Sequence, residues 1–115
     1  MNDEQRPSFT PSVQALDAWV TACGRWVDER FPGDDMKDRG LILGEEAGEV
    51  QRCILKASQQ IRGGASHWDA ELRKEVAQTF FALCSVAYRA GFSLSVAVAQ
   101  EWDVQRDKVY GKGSL

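Results

Sequence analysis

The amino-acid sequence predicts an all-α protein, built as a bundle of four helices. Apolar residues recur every three or four positions in four successive segments, which is the spacing of one face of an α-helix. Glycine and proline stand between these segments, at Pro32, Gly33, Gly63, Gly64 and Gly91. No segment alternates between apolar and polar residues as a half-buried strand does. We therefore expect helices joined by short links, and no sheet.

The first helix is predicted after a polar, proline-containing segment, residues 1–11. Ser12 is placed to cap this helix, and the helix should end near Phe31. Trp19 and Trp26 belong to its apolar stripe, so we interpret them as core or subunit-interface residues rather than as stacking surfaces for a base. The stripe as a whole consists of Val13, Leu16, Trp19, Val20, Cys23, Trp26 and Val27.

The second helix is predicted from about Asp38 to Ile61. Its apolar stripe is Leu43, Ala47, Val50, Ile54, Ala57 and Ile61. The short glycine-containing link that follows makes the second and third helices antiparallel neighbours.

The third helix is predicted to begin at a cap formed by Ser66 and Asp69 and to stop at Gly91. Ser93 then caps a shorter fourth helix that runs to about Val109. The stripe of the third helix is Leu72, Val76, Thr79, Leu83, Val86 and Ala90. We expect the second and third helices to pack along their stripes.

Residues 12–110 are predicted to form one domain, flanked by flexible ends at 1–11 and 111–115. A chain of 115 residues is near the size at which association with a second copy helps to bury a core. The formal net charge is −3 and there is no dense run of Lys or Arg, which argues against a nucleic-acid polymer as partner. Free nucleotides stay open as ligands, because a metal ion can supply the positive charge.

Targeting and cysteine patterns predict a cytoplasmic protein with no membrane partner. No apolar run approaches the roughly 20 residues that span a bilayer, and the polar start lacks the apolar segment of a signal peptide. Cys23, Cys53 and Cys84 are odd in number and far apart. They therefore indicate buried thiols rather than a disulfide framework or a zinc site.

Acidic residues on the second and third helices carry the chemical signal. At about 100° per residue, Glu46 and Glu49 fall beside the apolar stripe, whereas Glu45 shares a face with polar residues. Glu75 and Gln78 take the same offsets from the stripe of the third helix. Antiparallel packing of the two helices is therefore expected to bring both pairs to one spot.

Three carboxylates in a semi-buried spot repel one another and lose hydration, a cost that pKa shifts or a bound cation can offset. Oxygen ligands with no His or Cys nearby favour magnesium or manganese over zinc or copper. Such an ion commonly bridges phosphate oxygens and activates water. Most glutamates on helices simply face water, and for Glu45 that interpretation has equal weight.

The run Glu45–Glu49, with the sequence Glu-Glu-Ala-Gly-Glu, and the later run Glu75–Gln78 resemble the motif of the MazG-like all-alpha nucleotide pyrophosphohydrolases. The resemblance covers about residues 13–110. It implies a homodimeric or homotetrameric helical bundle that uses magnesium to split nucleoside triphosphates, often noncanonical or deoxy ones, into monophosphate and pyrophosphate.

The resemblance also implies roles for single residues. By position, Glu46, Glu49 and Glu75 would be metal ligands, and Glu45 would assist beside the ion or with a second one. Glu45 or Glu49 would be the catalytic base that orients the attacking water.

Gln78 departs from the family pattern, because the family has an aspartate there. Its amide oxygen is still a suitable ligand for a hard ion, and Gln78 is kept in the predicted ligand set, but its NH₂ group is equally suited to donate to a carboxylate or to the substrate. Glu46, Glu49 and Glu75 then supply a charge of −3, which suits one magnesium ion better than two. The alternative is a nucleotide-binding or regulatory protein with weakened catalysis.

Basic residues that the family tends to place near the phosphates are represented here by Lys56, Arg106 and Lys108. They are candidates for substrate binding, although Lys and Arg near helix ends are also typical of solvated positions. His67 lies outside any Glu-x-x-His spacing, which argues against a di-iron site. No Gly-rich phosphate loop occurs.

The first hypothesis is therefore a magnesium-dependent nucleoside triphosphate pyrophosphohydrolase. A non-catalytic nucleotide-binding protein and a plain helical dimerisation module are the alternatives, and cleavage of a phosphoribosyl nucleotide uses a similar acidic motif. The base and the sugar of the substrate are not indicated by the sequence.

Overall fold

The computed structural model describes residues 13–59 and 64–111, and in these ranges the protein is helical apart from short links. The helices are α1 (Val13–Arg30), α2 (Met36–Ser58), α3 (Gly64–Ala90) and α4 (Leu94–Tyr110). The described part of the chain contains no strand. The predicted all-α class is thus confirmed. The expected cap at Ser12, the expected flexible segment 1–11 and residues 112–115 of the expected flexible segment 111–115 lie outside the described residues. The second helix ends at Ser58, before the predicted end at Ile61, and Gln59 is its C-terminal cap.

Local capping residues begin and end the helices. Asp35 starts α2 with a capping box: its carboxylate accepts from the Asp38 backbone N–H at 3.0 Å, and the Asp38 carboxylate accepts from the Asp35 N–H at 2.9 Å. Ser93 caps α4 as predicted, its Oγ accepting from the Val96 N–H at 3.2 Å. Gly91 follows α3 with a φ of 81°, a conformation that favours glycine.

The predicted start of the third helix is wrong. α3 begins at Gly64, so Ser66 and Asp69 lie inside it rather than at its cap. Glycine is a weak helix former, and the sequence pattern therefore placed the boundary too late.

The core lies between α1 and α3. Its central cluster consists of Val20, Cys23, Cys84 and Ala87. Gly24 allows the two helices to approach closely, because a Cβ at this position would overlap the ring of Tyr88. All three cysteines are buried and free, as predicted. Burial raises the pKa of the Cys84 thiol to about 12, which keeps it protonated and unreactive.

Helix α4 is joined to α1 through the side chain of Asp17. One Asp17 oxygen accepts from the Ser93 hydroxyl at 2.9 Å, and the other accepts from the Ser95 backbone N–H at 3.2 Å. This carboxylate therefore supplements the Ser93 cap at the positive end of the α4 dipole.

The buried face of α2 differs from the predicted stripe. Ile54 of the stripe is half exposed, whereas Arg39 and Cys53 are buried and Glu46 is half-buried. Arg39, Glu46 and Cys53 are spaced seven residues apart, so they share one helix face. That face is turned toward α1 and α3.

Helix α3 shows the same rotation. Val76 and Leu83 of its predicted stripe are nearly half exposed, while Glu75, Ala82 and Ser85 are buried. The two apolar stripes are therefore only partly covered: Leu43, Val50, Leu72 and Val86 are half-buried, whereas the Ile54, Val76 and Leu83 edges stay exposed. Hydrophobic periodicity identifies an apolar face, but it does not identify the surface that covers that face.

Within residues 13–59 and 64–111, no single helix is both long and apolar enough to cross a membrane. One pair of segments, His67–Ala90 and Leu94–Tyr110, reaches the required length and hydropathy only when taken together, across a bend of 105°.

Candidate metal centre

Glu46 of α2 and Glu75 of α3 meet where the two helices pack. Glu75 is buried and Glu46 is half-buried. Loss of hydration raises the pKa of the Glu46 carboxyl, and so do a hydrogen bond with Glu75 and the negative charges of Glu75, Glu45 and Glu49. The ionised form of Glu46 is therefore disfavoured at a place where a cation would offset the repulsion between the carboxylates.

Gln78 completes this contact from α3. With its amide nitrogen turned toward the carboxylates, it donates to Glu46 Oε2 at 3.1 Å and to Glu75 Oε2 at 3.3 Å. The opposite orientation would place the amide oxygen against two acceptors, so we assign the donor orientation from the hydrogen-bond network. Of the roles open to Gln78, the structure displays that of a donor to the two carboxylates.

The other two predicted acids lie at the edge of this group. Glu49 forms an ion pair with Arg52, with 3.2 Å between the Arg52 Nη1 and the Glu49 Oε2. Glu45 is exposed. On α3, Lys74 Nζ lies 3.7 Å from Glu75 Oε1, so a cation already borders the buried carboxylate.

A hard divalent ion such as magnesium needs several oxygen ligands that converge on one point. Within the described ranges 13–59 and 64–111, no three Asp, Glu, His or Cys side chains converge closely enough to hold a metal as they stand. Two carboxylates and one amide do converge, and they offer the oxygen ligands that magnesium prefers. Glu49, three residues after Glu46 on the same helix, becomes a third carboxylate if its side chain leaves Arg52.

A cavity of about 630 Å³ lies directly beside the carboxylates. Glu45, Glu46 and the neutral Gln78 line the end of the cavity that carries the carboxylates. The remaining wall is aromatic, aliphatic and basic, and comes from α1, α2 and α3: Trp26, Val27, Arg30, Phe31, Arg39, Ile42, Phe81, Ala82 and Ser85. A space of this size suits a small-molecule ligand.

The basic and aromatic wall was not predicted. Arg30 lies over the rings of Trp26 and Phe31, 5.5 Å from each ring centroid. Trp26 was expected in the core or at a subunit interface, yet it is about half exposed and lines the cavity. Arg39 lies seven residues before Glu46, and this spacing was the available signal that both share one face.

The three predicted phosphate-binding residues lie away from the cavity. Lys56 Nζ lies 5.4 Å from the ring centroid of Trp68, near the end of α2. Arg106 of α4 pairs with Asp103 at 3.3 Å, and Lys108 on the same helix is exposed. None of the three lines the cavity, whose basic residues are Arg30 and Arg39.

No family model, curated protein or solved structure matches the chain. The resemblance to the MazG-like pyrophosphohydrolases therefore depends on the motif residues of α2 and α3 alone.

Proposed function

We propose that this protein is a magnesium-dependent nucleoside triphosphate pyrophosphohydrolase of the MazG-like kind. The observation that carries the proposal is the buried contact between Glu46 and Glu75 beside a cavity large enough for a nucleotide. Carboxylates that repel each other and lose hydration are costly unless they serve a bound cation or a reaction. The substrates proposed are nucleoside triphosphates, including noncanonical and deoxy ones, and the products are a monophosphate and pyrophosphate.

Each acidic residue has a proposed task in this reaction. Glu46 and Glu75 would hold the ion, and Glu49 would join them on separating from Arg52. Magnesium, when bound, neutralises the phosphate oxygens and orients them for attack by water. Glu45 lines the cavity and is exposed, so it is placed to accept a proton from that water. Glu49 is the other candidate for this base.

A second copy of the chain is proposed to complete the bundle. Helices α2 and α3 expose apolar side chains that a monomer leaves in water, among them Ile54, Val76 and Leu83 of the stripes and the neighbouring Leu41 and Leu55. An exposed apolar surface of this kind marks an association site. Either a homodimer or a homotetramer would cover these side chains.

The activity is tested by incubating the purified protein with magnesium and a panel of nucleoside triphosphates, and by measuring pyrophosphate release. We expect release from at least one nucleotide, and loss of at least about a hundredfold in rate for Glu46→Gln and for Glu75→Gln. Glu101→Gln, the same change on the exposed face of α4, is the matched control and should retain the rate. Activity that survives both substitutions in the cluster would sink the assignment.

Nucleotide binding with weak turnover is the second candidate function, and Gln78 favours it. Its amide donates to Glu46 and Glu75, and it adds no charge to the site. In this case calorimetry should detect nucleotide binding without turnover, and Gln78→Asp should gain activity. A wild type that turns over faster than Gln78→Asp would count against this candidate.

A further inference from the structure

Arg39 is a buried cation at the wall of the cavity, and its hydrogen bonds are incomplete. The residue is 1% exposed, and its Nη2 donates to the carboxylate of Asp28 on α1. Nε and Nη1 have no acceptor within the described residues, and both are closed to water. Buried guanidinium groups are normally fully paired, because unpaired donors lose their hydration without compensation.

The partners available to Arg39 inside the protein are limited. Asp28 is shared with Arg89, whose Nη1 lies 3.9 Å from the same Asp28 oxygen. Two arginines therefore compete for one carboxylate. Arg39 lines the cavity, and a single anchor at Nη2 allows its guanidinium to turn toward a ligand that carries an acceptor.

The position of Arg39 along α2 indicates which part of a nucleotide would reach it. It lies seven residues before Glu46, which corresponds to about 10.5 Å along the helix axis. Under the proposed function the metal and the phosphates lie at the Glu46 end. The base then lies at the opposite end of the cavity, where Trp26, Phe31 and Phe81 provide rings for stacking.

We propose that Arg39 reads the nucleobase, and that the protein prefers bases with an oxo group, namely cytosine, uracil, thymine and guanine, over adenine. This inference rests on the proposed function for the placement of the phosphates. Arginine only donates hydrogen bonds, so it selects carbonyl oxygens. Adenine has no carbonyl. Its acceptors are ring nitrogens with one lone pair each, and the amino group beside N1 and N7 presents a donor to the guanidinium.

A phosphate group would also satisfy a guanidinium, so the test separates the two sources of acceptors. Nucleosides carry the base without phosphate, and tripolyphosphate carries phosphate without base. Binding of each is followed without magnesium by NMR, from the side-chain N–H signals of Trp26 and Arg39 in ¹⁵N-labelled protein. The same spectra show whether a variant is folded.

We expect uridine, cytidine and guanosine to bind at least about tenfold more tightly than adenosine. Arg39→Met and Arg39→Lys should reduce this preference to near unity, whereas the exposed Arg73→Met should leave it unchanged. The comparison in the wild type needs no variant, so it decides the matter even if Arg39→Met fails to fold. Equal binding of adenosine, or no binding of any nucleoside at millimolar concentration, would overturn the inference.

The remaining outcomes separate this inference from the proposed function. Tripolyphosphate binding that is lost in Arg39→Met and kept in Arg39→Lys would show that Arg39 holds phosphate and would overturn base reading. Nucleoside selectivity without any pyrophosphate release would support Arg39 as the base reader and remove the proposed activity. Pyrophosphate release that does not discriminate between bases would overturn the role of Arg39 and leave the activity in place.

Discussion

Glu46 is surrounded by carboxyl groups on its own helix and on α3, and its protonation is tied to folding. Its pKa is raised above the ordinary value of 4.5. As the pH rises, the unfolded chain therefore releases the Glu46 proton at a lower pH than the folded protein does. The stabilisation linked to this proton is present below about pH 4.5 and is lost as the pH rises through the raised pKa of the folded state.

Replacing Glu46 with Gln removes the negative charge of the ionised carboxylate. We therefore expect the variant to be more stable than the wild type at neutral pH. In the absence of magnesium the melting temperature should rise by a few degrees, because repulsion among the carboxylates is relieved. The gain should disappear as the pH falls toward 4.5, where the wild-type group is protonated. Thermal denaturation as a function of pH measures this, with Glu101→Gln as control. A lower melting temperature for Glu46→Gln at neutral pH would contradict it.

The acidic residues could be predicted from the sequence because they are local in the chain. The offsets of Glu46 and Glu75 from the helix stripes predicted that they would meet, and they do. The role of Arg39 could not be predicted in this way. Its partner Asp28 is on another helix, and its incomplete hydrogen bonding is visible only when α1 and α2 are packed.

Among the elements, α1 and α3 approach each other closely at Gly24, where the absence of a side chain makes room for Tyr88. A methyl group at this position would overlap the ring of Tyr88 and must displace it. The packing of this pair also positions Trp26, Phe31 and Phe81 along one side of the cavity.

Gly24→Ala is expected to destabilise the protein by about 1–2 kcal/mol, because the cost of overpacking exceeds the gain in helix propensity. Gly40→Ala on α2 is the matched control: no atom lies within 4 Å of its added Cβ, so it should stabilise by about 0.5–1 kcal/mol. Urea denaturation of both variants measures the two effects. Equal effects of the two substitutions would mean that the α1–α3 contact is looser than described.

The helix boundaries were predictable where a capping residue marks them, as at Ser93 and Gly91. The α2 stripe was predictable as an apolar face, yet the face that packs against α3 carries Glu46 and Cys53 instead. Helical periodicity in the sequence shows that a face is apolar. Whether that face packs within the chain or against a second copy depends on tertiary packing.

For the whole molecule, the distribution of apolar side chains suits association. The radius of gyration is 17.4 Å, larger than the roughly 13 Å of a compact domain of this length. The extents are 45 × 39 × 22 Å, which describes a flat layer of helices. A flat layer with apolar stripes on its surface leaves a face that a second copy can cover.

We expect the wild type to run as a dimer or a tetramer in size-exclusion chromatography with light scattering. Ile54→Lys and Leu83→Lys should shift it toward the monomer, because each places a charge on an exposed stripe. Val109→Lys, at a side chain that is 72% exposed on α4, is the control and should leave the mass unchanged. A monomeric wild type at micromolar concentration would contradict the proposed assembly.

The central claim is that the carboxylates of α2 and α3 hold a divalent cation together with a nucleotide. The most direct test is the shift in melting temperature caused by magnesium and a panel of nucleoside triphosphates, compared between the wild type and Glu75→Gln. The account predicts a rise of several degrees in the wild type for at least one nucleotide, only when magnesium is present, and no rise in Glu75→Gln. A wild type that magnesium and nucleotides leave unshifted, or a shift of equal size in Glu75→Gln, would contradict it.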